Sequence, residues 1–412
     1  MKYDLIVIGG GAAGMMAAIS AARRNAHVLL LEKLPSIGAK LKATGGGRCN
    51  LTNTLERESF MERFGREGRF MRDVLMACDT TMLRDFFNDI GVATHAPDGY
   101  RVFPVTHNAL SVVNALEAEM QRLRVVLRCG ERVEALETDG DAMFSVCSAT
   151  SRYESAHVII ATGGLGYPQL GAEGEGYSLA CHLGHTLKEP YPAMMPLHTK
   201  ERWVAHCRAD TIAKATLHID LPKAGKIVAE GDLIFTRQGI RGPVVLDLSR
   251  EITPFLKRYG EVPLLINVVQ GRNETQLHQH IKQQLQTNPH QSTLELLQTL
   301  LPHALILELC RLAEVEPSIS WSRHKGEQRE MLVRFMAKMP LTVVGHDGFA
   351  KAMITRGGIT RKEIDPKTMQ SKRVRHLYFC GEVVDIDGPC GGYNLQWAFA
   401  SGWVAGMLGE SQ

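Results

Sequence analysis

Residues 4–33, DLIVIGGGAAGMMAAISAARRNAHVLLLEK, decide the fold. Tyr3–Ile8 is a short apolar strand, and Gly9, Gly11 and Gly14 follow at the G-x-G-x-x-G spacing. Ala12–Arg24 reads as a helix, and HVLLLEK is a second strand closed by Glu32. The glycine pattern alone is a weak signal. Its context, with a strand before it, a helix after it and an acid about 20 residues on, is that of a dinucleotide site. Gly9 allows the tight turn, Gly11 lets backbone amides reach a pyrophosphate, and Gly14 lets the helix pack on the strand. The positive end of the helix, where Ala12 and Ala13 lie, faces the phosphates. Glu32 accepts from ribose hydroxyls, with Lys33 next to it. A dinucleotide binds here.

Around this unit the chain is long, 412 residues, so two or three domains are expected. A 44% hydrophobic and 22% charged composition is that of a soluble globular protein, and a net charge of +3 neither requires nor excludes an anionic partner. The nine cysteines are scattered, with no C-x-x-C and no metal-like pairing with histidine. That usage predicts a reducing, cytoplasmic location without disulfides or metal. Leu5–Ala22 carries no charge and imitates a signal peptide or membrane span, but the glycine triplet inside it and the strand after it argue against both.

Further along, residues 55–90 and 108–124 read as helical, and strands are expected at 125–129, 132–137, 143–148 and 152–155. AHVIIATGG is an apolar strand entering a turn at Thr162, Gly163 and Gly164. From residue 191 to 272 the runs ATLHID, DLIFT, VVLDLS and VPLLINVV predict a β-rich insert, serving as a cap or substrate domain. Residues 273–342 predict a helical subdomain of three or four helices. Residues 1–190 and 343–412 then form one discontinuous domain. The fold class is α/β: a doubly wound, Rossmann-like domain with a β-rich insert and a helical subdomain.

The last segment points to FAD rather than NAD as the resident dinucleotide. HLYFC enters Gly381-Glu382, an acidic turn containing Asp387, then Gly391-Gly392, then a helix from about Leu395. In doubly wound flavin enzymes a late strand returns to the cofactor in this way. Its Gly-acid pair reaches the ribityl chain, and the next helix aims its N-terminus at the ring, stabilising negative charge on the reduced flavin. Asn394 and Leu395 lie at that helix start.

KATGGGRCNLTN, residues 42–53, suits neither helix nor strand, and its consecutive glycines imply close approach by a ligand. This loop, with VIGGGAAGMMAA, DGYRVFP, ATGG, GDLIFTRQGIRGP and GEVVDIDGPCGGYNLQWAFASG, resembles the BaiN/RdsA-like flavoproteins over essentially the whole chain. The resemblance implies a fumarate-reductase-like fold, FAD, and NAD(P)H-dependent reduction of an activated C=C bond. The substrate is either uridine in 23S ribosomal RNA or an oxo-bile-acid-like enone. Such a reaction needs a hydride from reduced FAD, a proton donor and a clamp for the carbonyl oxygen. Lys40, Thr44, Gly45, Gly46, Gly47 and Asn50 fall to the cofactor, and Arg48 to an anion or carbonyl.

Cys49 reads as a proton donor or as a small hydrophobe packed behind the loop. Cys390 is a weaker candidate by the same logic. Tyr393 could donate a proton, stack on a base, or simply pack. No second strand–GxGxxG–helix unit exists, so NAD(P)H is expected to visit the flavin and leave. GAEGEG at 171–176 has glycines, but its two glutamates would repel phosphate. Eight Lys/Arg between Lys351 and Arg375 face only Glu363 and Asp365, a candidate RNA track, and Arg63, Arg66, Arg69 and Arg72 recur every third residue. The expectation is uridine reduction in ribosomal RNA. A small enone reductase or oxidase is the alternative, and a non-catalytic RNA or partner binder a further one.

Overall fold

The computed structural model describes residues 2–138, 143–222 and 224–409. Two compact units are present: Met1–Tyr191 with Met353–Gln412, and Pro192–Ala352. In the first unit, Val126–Cys129, Val28–Glu32, Lys2–Ile8, Arg152–Ile160 and Leu377–Phe379 form five parallel neighbours in that order. The hairpin Val133–Thr138/Phe144–Ser148 extends the sheet antiparallel against the first half of Arg152–Ile160. Strands that run parallel end on the same edge, so Gly9, Glu32, Thr162 and Gly381 arrive there together. In the sequence, residues 152–160 read as two strands. The structure has one, because its first half pairs with the hairpin and its apolar second half with the parallel core.

The first helix, Ala12–Ala22, is buried on nearly every face. It lies under the last helix, Tyr393–Ala405, which is also almost wholly buried and starts two residues before the expected position. The uncharged run Leu5–Ala22 is thus strand, turn and core helix, and no helix among the described residues is long and apolar enough to cross a membrane. Residues 57–77 are two short helices, Arg57–Glu62 and Arg72–Ala77, joined by a 3-10 turn. Gly65 and Gly68 break the helix: Gly65 is left-handed, and a Cβ on Gly68 would stand 2.1 Å from the Met61 carbonyl oxygen.

The second unit is a closed antiparallel barrel in the order Leu197–Thr199, Gly239–Arg241, Val228–Phe235, Thr211–Ile219, Val262–Asn267, Met339–His346. The helices Glu274–Thr287, Thr293–Leu297, His303–Leu312 and Gly326–Ala337 share one apolar core with this barrel. The lines drawn in the sequence at 272/273 and 342/343 therefore do not coincide with the compact units; the strand over 339–346 belongs to the barrel. VVLDLS was expected as a strand and is helix, within Pro243–Tyr259. Val244, Val245, Leu248, Ile252 and Leu256 are buried at three- and four-residue spacing, and Pro243 sits at the start, where its missing N–H costs nothing.

One buried carboxylate ties the first helix to Ala109–Arg122. Glu119, 6% exposed, accepts from Arg23 at 2.7 and 3.0 Å and from Arg122 at 2.7 and 2.9 Å. The Arg122 hydrogen bonds hold its carboxyl below the usual range; burial opposes them and Arg23 reinforces them. A depressed folded-state value means stability present above the unfolded value, about 4.3, and lost as pH falls. Glu119→Gln should lower the melting temperature at pH 7, and the difference from wild type should shrink as pH drops below about 4. A pH-independent difference in thermal unfolding would refute this.

Candidate functional site

The glycines at the sheet edge divide into two kinds. A Cβ on Gly14 would lie 1.9 Å from the Gly9 carbonyl oxygen, so this glycine serves the fold. A Cβ on Gly11 would meet no protein atom within 4 Å, and the same holds at Gly163, Gly46 and Gly47. Gly11 begins the first helix without a side-chain cap, leaving its first amides available. The Thr162 hydroxyl is buried with no hydrogen-bond partner among the described residues, and it faces Gly176, where a Cβ would stand 2.0 Å from its oxygen. Open backbone and uncapped amides fit the phosphates of a dinucleotide.

The adjoining cleft is lined by Gly9, Leu31, Glu32, Lys33, Arg132 and Thr162, among others. Glu32 accepts from the Gly10 N–H at 2.7 Å and the Leu34 N–H at 2.8 Å, which fixes its carboxylate at the strand end. A carboxylate has about four lone-pair sites, so ribose hydroxyls can share it. Lys33 bonds Glu175 and lies 3.0 Å from Glu173, and Arg132 lies 3.0–3.2 Å from both. The GAEGEG glutamates are therefore neutralised by basic neighbours.

On the other side of the site, the loop after helix Ala39–Ala43 is clamped to the start of the last helix. Asn50, with its amide turned to satisfy its neighbours, donates to the Thr52 and Val102 carbonyls and accepts from the Gly392 N–H at 3.0 Å. Asn53 donates to the Gly391 carbonyl at 3.0 Å. Only glycine fits at 392, where φ is +87° and a Cβ would lie 2.4 Å from the Thr52 oxygen. Asn50, assigned to the cofactor from the sequence, thus joins two loops. Asn394 holds the turn before the helix, accepting from the Gly388 N–H and donating to its carbonyl.

Glu382 was expected on the ribityl chain. Its carboxylate takes Lys40 at 2.7 Å and the Thr355 N–H at 2.7 Å. The Gly381 N–H is bonded to Ser401. Asp387 is buried, and so is Asp385, which faces Lys188 and, further off, Arg361. Thr44 bonds back to the Leu41 carbonyl, and Leu395 is half-buried.

Cys49 has no exposed surface and a left-handed φ of +62°. Burial pushes its thiol up to about 12, with the Thr44 hydroxyl pulling the other way. Arg48 is exposed, its guanidinium 5.3 Å above the Phe103 ring. Tyr393 is 2% exposed, and its hydroxyl lies 2.5 Å from that of Tyr100. Tyr100 was not singled out in the sequence, although DGYRVFP contains it. Cys390 is exposed in the same loop as Gly391.

The basic stretch is not one continuous surface. Lys351 belongs to the other unit, Arg361 pairs with Glu67 and Arg373 with Glu363. Lys372, Arg373 and Arg375 precede Leu377–Phe379 and so lie at the amino end of that strand, opposite Gly381. Arg63, Arg66, Arg69 and Arg72 are all exposed. Among the described residues no cluster of three or more metal-ligating side chains exists.

Residues 3–408 match the HI0933-like protein Rossmann domain. The chain belongs to this family. Relatives that align over nearly their whole length include the 3-dehydro-bile acid delta(4,6)-reductase of Clostridium scindens, 35% identical over 97% of both chains. The ribosomal RNA dihydrouridine synthase of Escherichia coli is 28% identical, covering 98% of this chain and 97% of that one. Its Haemophilus influenzae counterpart is 29% identical. The 3-ketosteroid delta1-dehydrogenase of Sterolibacterium denitrificans shares the fold, with a TM-score of 0.53, 12% identity and coverage of 98% and 99%.

Gly11→Ala separates fold from ligand. Its Cβ touches no protein atom, so ligand-free stability should stay within about 1 kcal/mol of wild type. FAD affinity in a calorimetric titration should fall at least about tenfold, ~1.4 kcal/mol. Undiminished affinity would mean that no ligand approaches this turn.

Proposed function

We propose that the protein is an FAD-dependent reductase that takes electrons from NAD(P)H and saturates an activated C=C bond, with uridine in 23S ribosomal RNA as substrate. The observation that carries the cofactor is the open glycine edge: Gly11 and Gly163 with room beside them. Gly9, Glu32, Thr162 and Gly163 would hold the nucleotide half, and the loop Gly45–Asn50 and the start of the last helix the ring half. When bound, reduced FAD supplies a hydride for the electron-poor carbon of the double bond. The chain must then fix the carbonyl and deliver a proton. Arg48, exposed and steadied on Phe103, is the carbonyl clamp. Cys49, enclosed and held protonated by burial, is assigned to packing behind the loop. NAD(P)H is a transient donor that reaches the flavin without a Rossmann unit of its own.

The names of the two dihydrouridine synthases, which align over 98% of this chain, support the RNA reading. The exposed arginines at 48, 63, 66, 69 and 101 support it on charge. Two observations favour the small-enone reading. The bile-acid reductase shares more identity, 35%, and Lys372, Arg373 and Arg375 lie away from the site.

The deciding experiment offers anaerobically reduced enzyme either 23S ribosomal RNA from a strain lacking the gene or a 3-oxo-4,6-diene steroid. Flavin reoxidation is followed at about 450 nm. Reoxidation by RNA with gain of dihydrouridine is expected. Reoxidation by the steroid alone would overturn the RNA assignment, and response to oxygen alone would overturn the reductase. In the productive assay Arg48→Ala should cost roughly 10²-fold in turnover. Cys49→Ala should cost less than about threefold, as for a packing residue; a larger loss would restore the thiol to the chemistry.

A further inference from the structure

We infer that Tyr100 is the proton donor of this site and that Tyr393 is the residue that positions and supports it; this rests on the reductase reading above. The two hydroxyl oxygens are 2.5 Å apart, yet the side chains differ in surroundings. Tyr393 is enclosed, its ring 4.8 Å from Phe60 and 5.8 Å from Phe64. Tyr100 is half-buried. Its backbone is fixed on both sides: Asp98 accepts from the Tyr100 N–H at 3.0 Å and the Arg101 N–H at 2.7 Å, and the Thr54 N–H donates to the Tyr100 carbonyl at 2.9 Å. Gly391 passes beside the pair, where a Cβ would stand 3.4 Å from each ring. The Asn53 bond to the Gly391 carbonyl and the Asn50 bond to the Gly392 N–H hold this contact against the glycine-rich loop.

Two phenols at this distance share one hydrogen bond. If the enclosed Tyr393 donates to Tyr100, the hydrogen on Tyr100 is left for the open side, where a substrate can reach it. In the reaction the Tyr100 O–H bond breaks as a C–H bond forms at the carbon α to the substrate carbonyl, the hydride having gone to the β carbon. The negative charge left on the Tyr100 oxygen is met by the Tyr393 O–H, and solvent returns the proton from the exposed side. The other groups nearby suit the step less well. Cys49 has no exposed surface, and the His95 and His107 Nε2 atoms bond each other at 2.9 Å.

The reverse of this proton transfer needs no hydride, so it can be tested apart from reduction. Holoenzyme with oxidised FAD is incubated in D2O with 5,6-dihydrouridine or with a saturated 3-oxosteroid, and loss of the α hydrogens is read by NMR. Wild type should exchange one of the two hydrogens at the carbon the reaction protonates, C5 of dihydrouridine or C4 of the steroid, in whichever compound it accepts. Tyr100→Phe should slow exchange by about 10²- to 10⁴-fold, the scale of a lost general acid or base. Tyr393→Phe should slow it about tenfold, lowering kcat with KM unchanged and preserving the choice of hydrogen. Cys390→Ser should exchange as wild type.

Unchanged exchange in Tyr100→Phe, a loss in Cys390→Ser instead, or no exchange of either compound by wild type would each overturn the inference. Failure of the reductase reading would look different: exchange that depends on Tyr100, with no reoxidation of the reduced enzyme by any enone.

Discussion

The close crossing of the first and last helices is the contact on which the site depends. A Cβ on Gly402 would lie 2.3 Å from the Ala13 carbonyl oxygen, and one on Gly406 would lie 2.3 Å from that of Ala17. Each helix presents small residues four positions apart, so the two backbones nearly touch. Ser20 then donates to the Trp403 carbonyl at 2.7 Å across the same seam. Residues more than 380 positions apart in the chain are thereby set in one register, with the start of the first helix beside Gly402, roughly 15 Å along the last helix from its start at Gly392. Any side chain larger than hydrogen at 402 or 406 would push the ends of the chain apart.

From that seam the remaining geometry follows in steps. Parallel strands deliver the Gly9, Thr162 and Gly381 turns to one edge. Lys40 reaches from the short helix after Gly38 to Glu382 at 2.7 Å, joining the two ends a second time. The asparagine pair, Asn50 and Asn53, joins them a third time, between the glycine-rich loop and the turn at 391–392. Three of the residues most conspicuous for chemistry in the sequence, Glu382, Asn50 and Cys49, are thus engaged in holding the frame. The groups left with open surface are Arg48, Tyr100 and Cys390.

Much of this was legible beforehand, and what escaped did so for physical reasons. The opening β-α-β unit announces itself because glycine spacing, helix and closing acid are all local in sequence. The C-terminal return to the sheet edge was equally plain, since a strand, a glycine turn and a helix follow without interruption. VVLDLS was misread as a strand because six apolar-rich residues cannot distinguish a period of two from 3.6; the pattern resolves only when Ile252 and Leu256 are included. Partners distant in sequence were also hidden. Nothing near Asn50 says that it meets Gly392, and nothing near Tyr393 says that its hydroxyl meets Tyr100. The basic run 351–375 looked like one surface, yet a strand direction and a unit boundary divide it.

In the proposed function one dinucleotide is framed by both ends of the chain. Amide hydrogen exchange of the protein with and without FAD tests it most directly, since bound ligand slows the exchange of the backbone it covers and steadies. Coordinated protection is expected at residues 9–14, 45–50, 162–164 and 388–395. Protection confined to residues 9–14 and 162–164, with the glycine-rich loop and the last helix start unchanged, would contradict it.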